Sequence, residues 1–270
     1  MKSFDAIIGH KKIISHFEEA IKTGKVSHAY LLSGEDGSGK MMIAKAVAKA
    51  LLCEHKDGCG ECAACKQVDS LNHPDVIYIT HEKYEIRVDD IRKGINETID
   101  IKPYSGDYKI YIIDDADRMN AGAQNALLKT LEEPPAYAVI LLLTNNKDRL
   151  LDTILSRCVS MTLGSVRESE IEDYLKANTG ASHADIAFAA AFSLGNIGRA
   201  LHVLDTEEFK DMLNDTMNVI THMKSMEIYE VVSYAKSLTK YKNEIYDFLD
   251  IIMVWLSLIH ISEPTRRVVI

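Results

Sequence analysis

Ala29-Tyr30-Leu31-Leu32-Ser33-Gly34-Glu35-Asp36-Gly37-Ser38-Gly39-Lys40-Met41 is the stretch whose reading decides the fold. Residues 29–33 are a short apolar run of the buried-strand kind. Gly34, Gly37 and Gly39 make a glycine-rich turn, and Met41 to Leu52, rich in Ala and Lys, reads as a helix. Strand, glycine-rich turn and helix in that order form the setting of a phosphate-binding loop. Its glycines let successive backbone N–H groups face phosphates. The helix N-terminus adds partial positive charge, and Lys40 reaches the outer phosphates. A chance glycine-rich turn is the rival reading. One position departs from the pattern. A Ser or Thr hydroxyl should follow Lys40 to ligate Mg²⁺; Met41 stands there, and a thioether does not hold a hard cation. The residues therefore predict a loop that holds phosphates with weak or absent hydrolysis.

Outward from this loop the pattern alternates. Residues 1–28 read as a helix, with Ile13, Ile14, Phe17, Ala20 and Ile21 on one face and a stop at Gly24. Further strands are predicted at 76–79, 110–113, 139–144 and 159–163, and helices at 88–99, 121–133 and 151–155, with Pro134-Pro135 ending the second of these. Strands alternating with helices imply an α/β fold, a parallel sheet covered on both faces. Ligands of such sheets bind beyond the carboxyl ends of the strands. Asp114-Asp115 closes the third strand there, as the second motif of a nucleotide site does. Asp114 would ligate Mg²⁺ directly or through water. Asp115 stands where active ATPases of this type place a Glu, and it is one methylene shorter, enough to misplace an attacking water. A solvated acidic turn is the alternative.

After Gly164 the strand signal stops. The expected organisation is a nucleotide-binding-like domain over 1–164, a small helical domain over 165–205 and a third helical domain over 206–256 that is incomplete. Residues 257–270, with Ser262-Glu263-Pro264-Thr265-Arg266-Arg267, break the pattern and read as a truncated gene end or a translated cloning scar.

Cys53, Cys59, Cys62 and Cys65 lie within one short segment, 53–65, with Gly58 and Gly60 letting the chain wrap. Four thiolates at this spacing suit a closed tetrahedral Zn²⁺ site of structural type. An iron–sulfur cluster and a redox Cys-x-x-Cys pair are the rivals. His10, His16, His55, His81, His183, His202, His222 and His260 show no ligand spacing and read as ordinary residues. Met212, Met217, Met223 and Met226 read as helix packing.

The 270 residues hold 31 Lys and Arg against 40 Asp and Glu, a net charge of −9. A protein that grips DNA by itself is usually basic, so DNA contact would need a local patch or basic partners. The apolar stretch 251–261 is far short of the roughly 20 residues a membrane span needs, and 1–5 lack a signal-peptide core. The cytoplasm is the default compartment, where disulfides are rare.

These residues together resemble a family. His28-Ala29-Tyr30-Leu31-Leu32 before the loop, the four-cysteine insertion after its helix and His73-Pro74-Asp75 form one set. The segments 112–120 and 125–135, the latter reading Asn-Ala-Leu-Leu-Lys-Thr-Leu-Glu-Glu-Pro-Pro, form another with Ser156-Arg157-Cys158. In this order, over about 4–205, they resemble the bacterial clamp-loader AAA+ subunits of DNA polymerase III, and within them the delta-prime kind. The resemblance implies an AAA+ P-loop domain with a parallel sheet, a helical lid and an all-helical collar domain. It implies a stator in a hetero-pentamer with motor and delta subunits, which loads a sliding clamp on primed DNA with ATP bound by the motor subunits. It makes Arg157 a trans-acting arginine finger, reaching the γ-phosphate of the neighbouring subunit. It places the first sensor at Thr144-Asn145 and the second at Arg199, and treats Cys158 as an apolar filler.

The nucleotide-binding set implied is Gly34, Gly37, Gly39, Lys40, Asp114, Asp115, Asn145 and Arg199, in degenerate form. Zinc is the expected structural cofactor; binding of ATP with Mg²⁺ at the chain's own site stays open, with the missing hydroxyl weighing against it. Two other functions stay open. One is an ATP-hydrolysing motor subunit of the gamma/tau kind; Met41, Asp115 and the Ala-Asp-Arg-Met wording of 116–119 weigh against it. The other is a zinc-stabilised nucleotide-binding module outside replication, such as a helicase loader, because fold alone does not fix function.

Overall fold

The computed structural model describes residues 2–80, 85–222, 248–249 and 251–253. Five strands form one sheet: β1 (Ala29–Ser33), β2 (Val76–Ile79), β3 (Lys109–Ile113), β4 (Ala138–Thr144) and β5 (Val159–Thr162), in the order β2-β3-β4-β1-β5. Every pairing is parallel, with Ala29 opposite Ile140, Tyr30 opposite Val159, Lys109 opposite Ala138 and Val76 opposite Ile110. β1, β3 and β4 are buried at every residue, which is why they read as continuous apolar runs. The edge strand β5 alternates between half-buried and exposed positions.

Successive strand residues point to opposite faces, and each face has its own core. On one face Tyr30, Leu32, Ile110, Ile112, Leu141 and Leu143 pack with Phe17 of α1 (Lys11–Thr23) and with Ile43, Val47 and Leu51 of α2 (Lys40–Leu52). On the other, Leu31, Tyr111, Ile113, Ile140 and Leu142 pack with Leu127 and Leu131 of α5 (Ala121–Glu132), with Ile154 of α6 (Asp152–Leu155), and with Ile91 and Ile95. Ile91 ends α4 (Val88–Ile91), which continues as a π-helical turn over Arg92–Asn96.

The N-terminal helix is shorter than the apolar pattern suggests. Lys2–Phe4 is a 3₁₀ turn, and Gly9 and His10 are left-handed, with φ 67° and 47°, so α1 starts at Lys11. It ends at Gly24 as expected. Gly24 (φ 66°) donates to Ile21 O and Lys25 to Ala20 O, a Schellman closure that needs left-handed backbone at Gly24. One helix had no periodic signal: α3 (Ala63–Asp69), set among the cysteines.

The chain divides into two compact units. The first runs to Ile171 and takes in Gly195–Gly198; the second holds Glu172–Leu194 and continues from Arg199. Beyond the sheet there are only helices among the described residues: α7 (Glu168–Asn178), α8 (His183–Phe192), α9 (Ile197–Asp205) and α10 (Glu207–His222). The second unit has its own aromatic core, with Phe192 and Phe209 ring centroids 5.2 Å apart and His202 edge-on to Phe209. Met212 is buried there; Met223, Met226 and most of 206–256 beyond α10, the stretch expected to form a third helical domain, fall outside the described residues, as do His81, His260 and the tail 257–270.

Candidate functional site

The phosphate-loop segment lies where β1 emerges between β4 and β5, at the carboxyl edge of the sheet. Gly37 (φ 78°) and Gly39 (φ 96°) take left-handed backbone. Gly34 has no room for a side chain: a Cβ there would lie 2.8 Å from Ser38 Oγ and 3.0 Å from Leu163 Cβ. Lys40 opens α2 and is only 7% exposed. Its ammonium donates to Gly34 O at 2.7 Å, Glu35 O at 2.8 Å and Asn145 Oδ1 at 2.5 Å. All three ammonium hydrogens thus have protein acceptors. Burial lowers the Lys40 pKa, and the nearby carboxylates of Asp36, Asp114, Asp115 and Asp117 pull the other way. The next side chain, Met41, is half-buried and packs on the core face shared by α1 and α2.

Asp114 and Asp115 follow β3 directly. Asp114 Oδ1 accepts the N–H of Asp115 at 3.1 Å, and burial together with the Asp115 charge raises its carboxyl pKa. Asp115 is left-handed (φ 49°), and its carboxylate pairs with Arg118 Nε at 3.2 Å. The carboxylate expected to polarise a water is therefore already engaged by a neighbouring guanidinium.

Three further contributors complete this region. Asp117, two residues past Asp115, is 8% exposed. Its Oδ1 accepts Thr144 Oγ1 at 2.8 Å and the Asn145 N–H at 3.1 Å, so it holds the turn that presents Asn145 to Lys40. His10, read as an ordinary residue, places Nε2 3.2 Å from Ser38 O of the loop, and burial lowers its pKa. Asn196 donates from Nδ2 to Asp36 O at 2.6 Å, and Gly198 N–H donates to Gly37 O at 3.0 Å. A Cβ on Gly198 would sit 2.5 Å from Gly37 Cα, so the 195–198 strap lies directly on the loop. The Gly195-to-Gly198 spacing was the available signal for the strap. Asp117 offered none, because its partners are distant in sequence. Arg199 belongs to the second unit, on α9.

The structure gathers the four cysteines. Their sulfurs all lie within 4.8 Å of one another. Tetrahedral sulfur ligation with bonds of about 2.3 Å spaces sulfurs by about 3.8 Å, so the group can hold a metal ion. Backbone N–H groups already point at the sulfurs: His55 and Cys59 at Cys53 Sγ (3.4 Å each), Glu61 and Cys62 at Cys59 Sγ (3.4 and 3.3 Å), and Cys65 at Cys62 Sγ (3.5 Å). Burial opposes ionisation, but at Cys53 these donors outweigh it and bring the thiol to about 6. At Cys65 burial prevails and the pKa rises. Gly58 (φ 67°) lets the loop fold on Ser3, whose Cβ would be 2.3 Å from an added Cβ. Cys158 stands apart from this group. It is half-buried against the α5 face, and burial pushes its thiol up to about 12.

Arg157 follows α6. Its guanidinium donates to Thr153 O at 2.8 Å, to Ser156 Oγ at 3.4 Å and to Glu132 Oε1 at 2.8 Å, and the side chain is 34% exposed.

A family model described as DNA polymerase III, delta subunit, matches residues 9–167. The chain is 38% identical over 177 residues to the DNA polymerase III subunit tau/gamma of Haemophilus influenzae, covering 64% of this chain and 25% of the relative. It is 42% identical over 158 residues to subunit tau of Bacillus subtilis, covering 57% and 28%. It is 31% identical over 227 residues to subunit delta' of Bacillus subtilis, covering 83% of this chain and 65% of the relative. The chain thus spans about a quarter of the first two relatives and under two thirds of the third. Among solved structures, the Thermotoga maritima RuvB Holliday junction branch migration motor aligns with a TM-score of 0.53 at 16% identity, over 82% of this chain and 67% of that one; the likeness is one of fold. No helix among the described residues is long and apolar enough to cross a membrane. The matched span runs through the phosphate loop, the cysteines and Arg157 alike, and the chain belongs to the DNA polymerase III delta-subunit family of clamp-loader proteins, with an AAA+ fold.

Proposed function

We propose that this chain is the delta-prime subunit of a bacterial clamp loader, a stator that does not turn over ATP itself. The carrying observation is Met41, a half-buried residue packed against the core where the Mg²⁺-binding hydroxyl of a hydrolysing P-loop belongs. The engaged state of Lys40 and the Asp115–Arg118 pair support the same reading. Gly34, Gly37, Gly39, Lys40, Asp114, Asp115 and Asn145 then make a degenerate nucleotide site, retained as scaffold.

In this reading Arg157 acts in trans, donating to the γ-phosphate in a neighbouring motor subunit. The chain sits in a hetero-pentamer with motor and delta subunits and reaches the sliding clamp and primed DNA through that assembly. Its charge of −9 fits indirect DNA contact. Residues 165–205 serve as the lid and 206–256 belong to the collar. The metal of Cys53, Cys59, Cys62 and Cys65 is zinc, because an all-sulfur tetrahedral set favours it and leaves no ligand position for chemistry. Zinc there would tie the end of α2 to α3. The compartment is the cytoplasm.

A motor subunit is the second reading, favoured by the 42% identity to a tau subunit. Turnover assays separate the two. The purified chain should show no Mg²⁺-dependent turnover, and Arg157→Ala should lower turnover of the assembled loader at the neighbouring site by at least about 10-fold. Turnover by the isolated chain that Lys40→Ala abolishes would establish the motor reading instead.

A further inference from the structure

The contact between Arg157 and Glu132 joins two elements that meet nowhere in sequence. Glu132 is the last residue of α5, where the helix dipole disfavours a carboxylate, so its charge is best placed against a cation. Arg157 Nη2 supplies that cation at 2.8 Å, while Nη1 is held by Thr153 O on α6. Nε and the second Nη2 hydrogen have no hydrogen-bond partner among the described residues. The guanidinium is thus aimed by α6 on one side, neutralised by α5 on the other, and still able to donate outward.

We propose that Glu132 is a competing latch on Arg157. It holds the guanidinium in cis as a competing anion and yields it when a neighbouring subunit presents a nucleotide phosphate. This rests on the finger role proposed above. The exchange runs one way for a simple reason. A terminal phosphate carries about two charges and accepts two parallel N–H bonds, whereas the Glu132 carboxylate carries one and accepts one. The carboxylate is 51% exposed, so its hold is weak; exposed pairs of this kind shift equilibria by about 5-fold at most. A tight, buried pair would withhold the finger.

The latch competes with the bound nucleotide before and during reaction alike, so removing it should act on KM and not on kcat. The test uses a loader assembled from the full chain with motor and delta subunits, and measures ATP turnover with clamp and primed DNA. Glu132→Gln should lower the KM for ATP by about 2- to 5-fold with kcat unchanged. That difference should shrink as salt rises, because an exposed pair is screened. Arg157→Ala should lower kcat, and the double variant should match Arg157→Ala. A wild-type KM in Glu132→Gln, beside a depressed Arg157→Ala, overturns the latch and leaves the finger standing. A fall in kcat for Glu132→Gln also overturns it, since it would mean the carboxylate orients Arg157 for reaction. Wild-type turnover in Arg157→Ala removes the finger, and the latch with it.

Discussion

The ammonium of Lys40 and the side-chain carbonyl of Asn145 meet at 2.5 Å, joining the start of α2 to the residue that follows β4. Because Gly34 O and Glu35 O take the other two ammonium hydrogens, a phosphate must replace one of these three acceptors to reach Lys40. Lys40→Ala should therefore lower affinity for a non-hydrolysable ATP analogue, by about 10-fold or more for loss of a charged hydrogen bond. Wild-type affinity should not depend on Mg²⁺, while Met41→Thr, which restores a hydroxyl beside Lys40, should make it so. Calorimetric titration with and without Mg²⁺ decides this; an equal Mg²⁺ response in both proteins removes the importance given to Met41.

Asp117 satisfies two donors at once, the buried hydroxyl of Thr144 and the half-buried N–H of Asn145. Asp117→Ala leaves both without an acceptor, a cost of about 2–4 kcal/mol. A thermal melt should show a Tm lower by about 5–15 °C. Asp117→Asn, which keeps one carbonyl oxygen, should lose less. Equal losses in the two variants would show that the carboxylate charge, not the acceptor, matters.

The cysteine module should carry about one zinc ion per chain. Elemental analysis of the native protein checks this, and iron in place of zinc overturns the assignment. Cys59→Ser with Cys62→Ser should release the metal. Because Cys62 caps α3 by accepting the Cys65 N–H, protease sensitivity should rise first within 53–69.

His73 and Asp75 give a pH dependence with a definite sign. His73 is buried and its Nδ1 accepts the Asp75 N–H at 3.1 Å; burial lowers its pKa below the ordinary 6.5, with Asp75 pulling upward. Below pH 6.5 the unfolded chain takes the proton before the folded one does. Stability should therefore fall as pH drops from about 7 towards the folded value, and should be level above 7 as far as this group is concerned. Denaturant titrations at pH 7.5 and 5.5 measure the loss, and His73→Gln should reduce it. His10, whose pKa is also lowered by burial, adds a slope of the same sign that the variant keeps.

How legible the molecule was depended on how local each feature is. The strands at 29–33, 110–113 and 139–144 were plain because both their faces are covered, which forces unbroken apolar runs. Gly24 stopped α1 where a left-handed closure is required. The start of α1 is not legible in the sequence, because the left-handed turn at Gly9 and His10 leaves no mark in periodicity. α3 has no sequence signal because a seven-residue helix among the cysteines buries only Cys65 and Val68. Likewise, 88–99 read as one helix, whereas it passes into a π-helical turn at Arg92.

From the chain alone came the parallel sheet, the phosphate loop with its missing hydroxyl, and the four-thiol spacing, since each is written in neighbours a few residues apart. Folding alone decided that Asn145 and two loop carbonyls engage Lys40, that Asp117 holds Asn145 in place, that the 195–198 strap lies on the loop, and that Glu132 faces Arg157. Those pairs are set by strand order and helix packing across 25 to 160 residues of chain, and hydrogen-bond complementarity at that range leaves no periodic trace in the sequence.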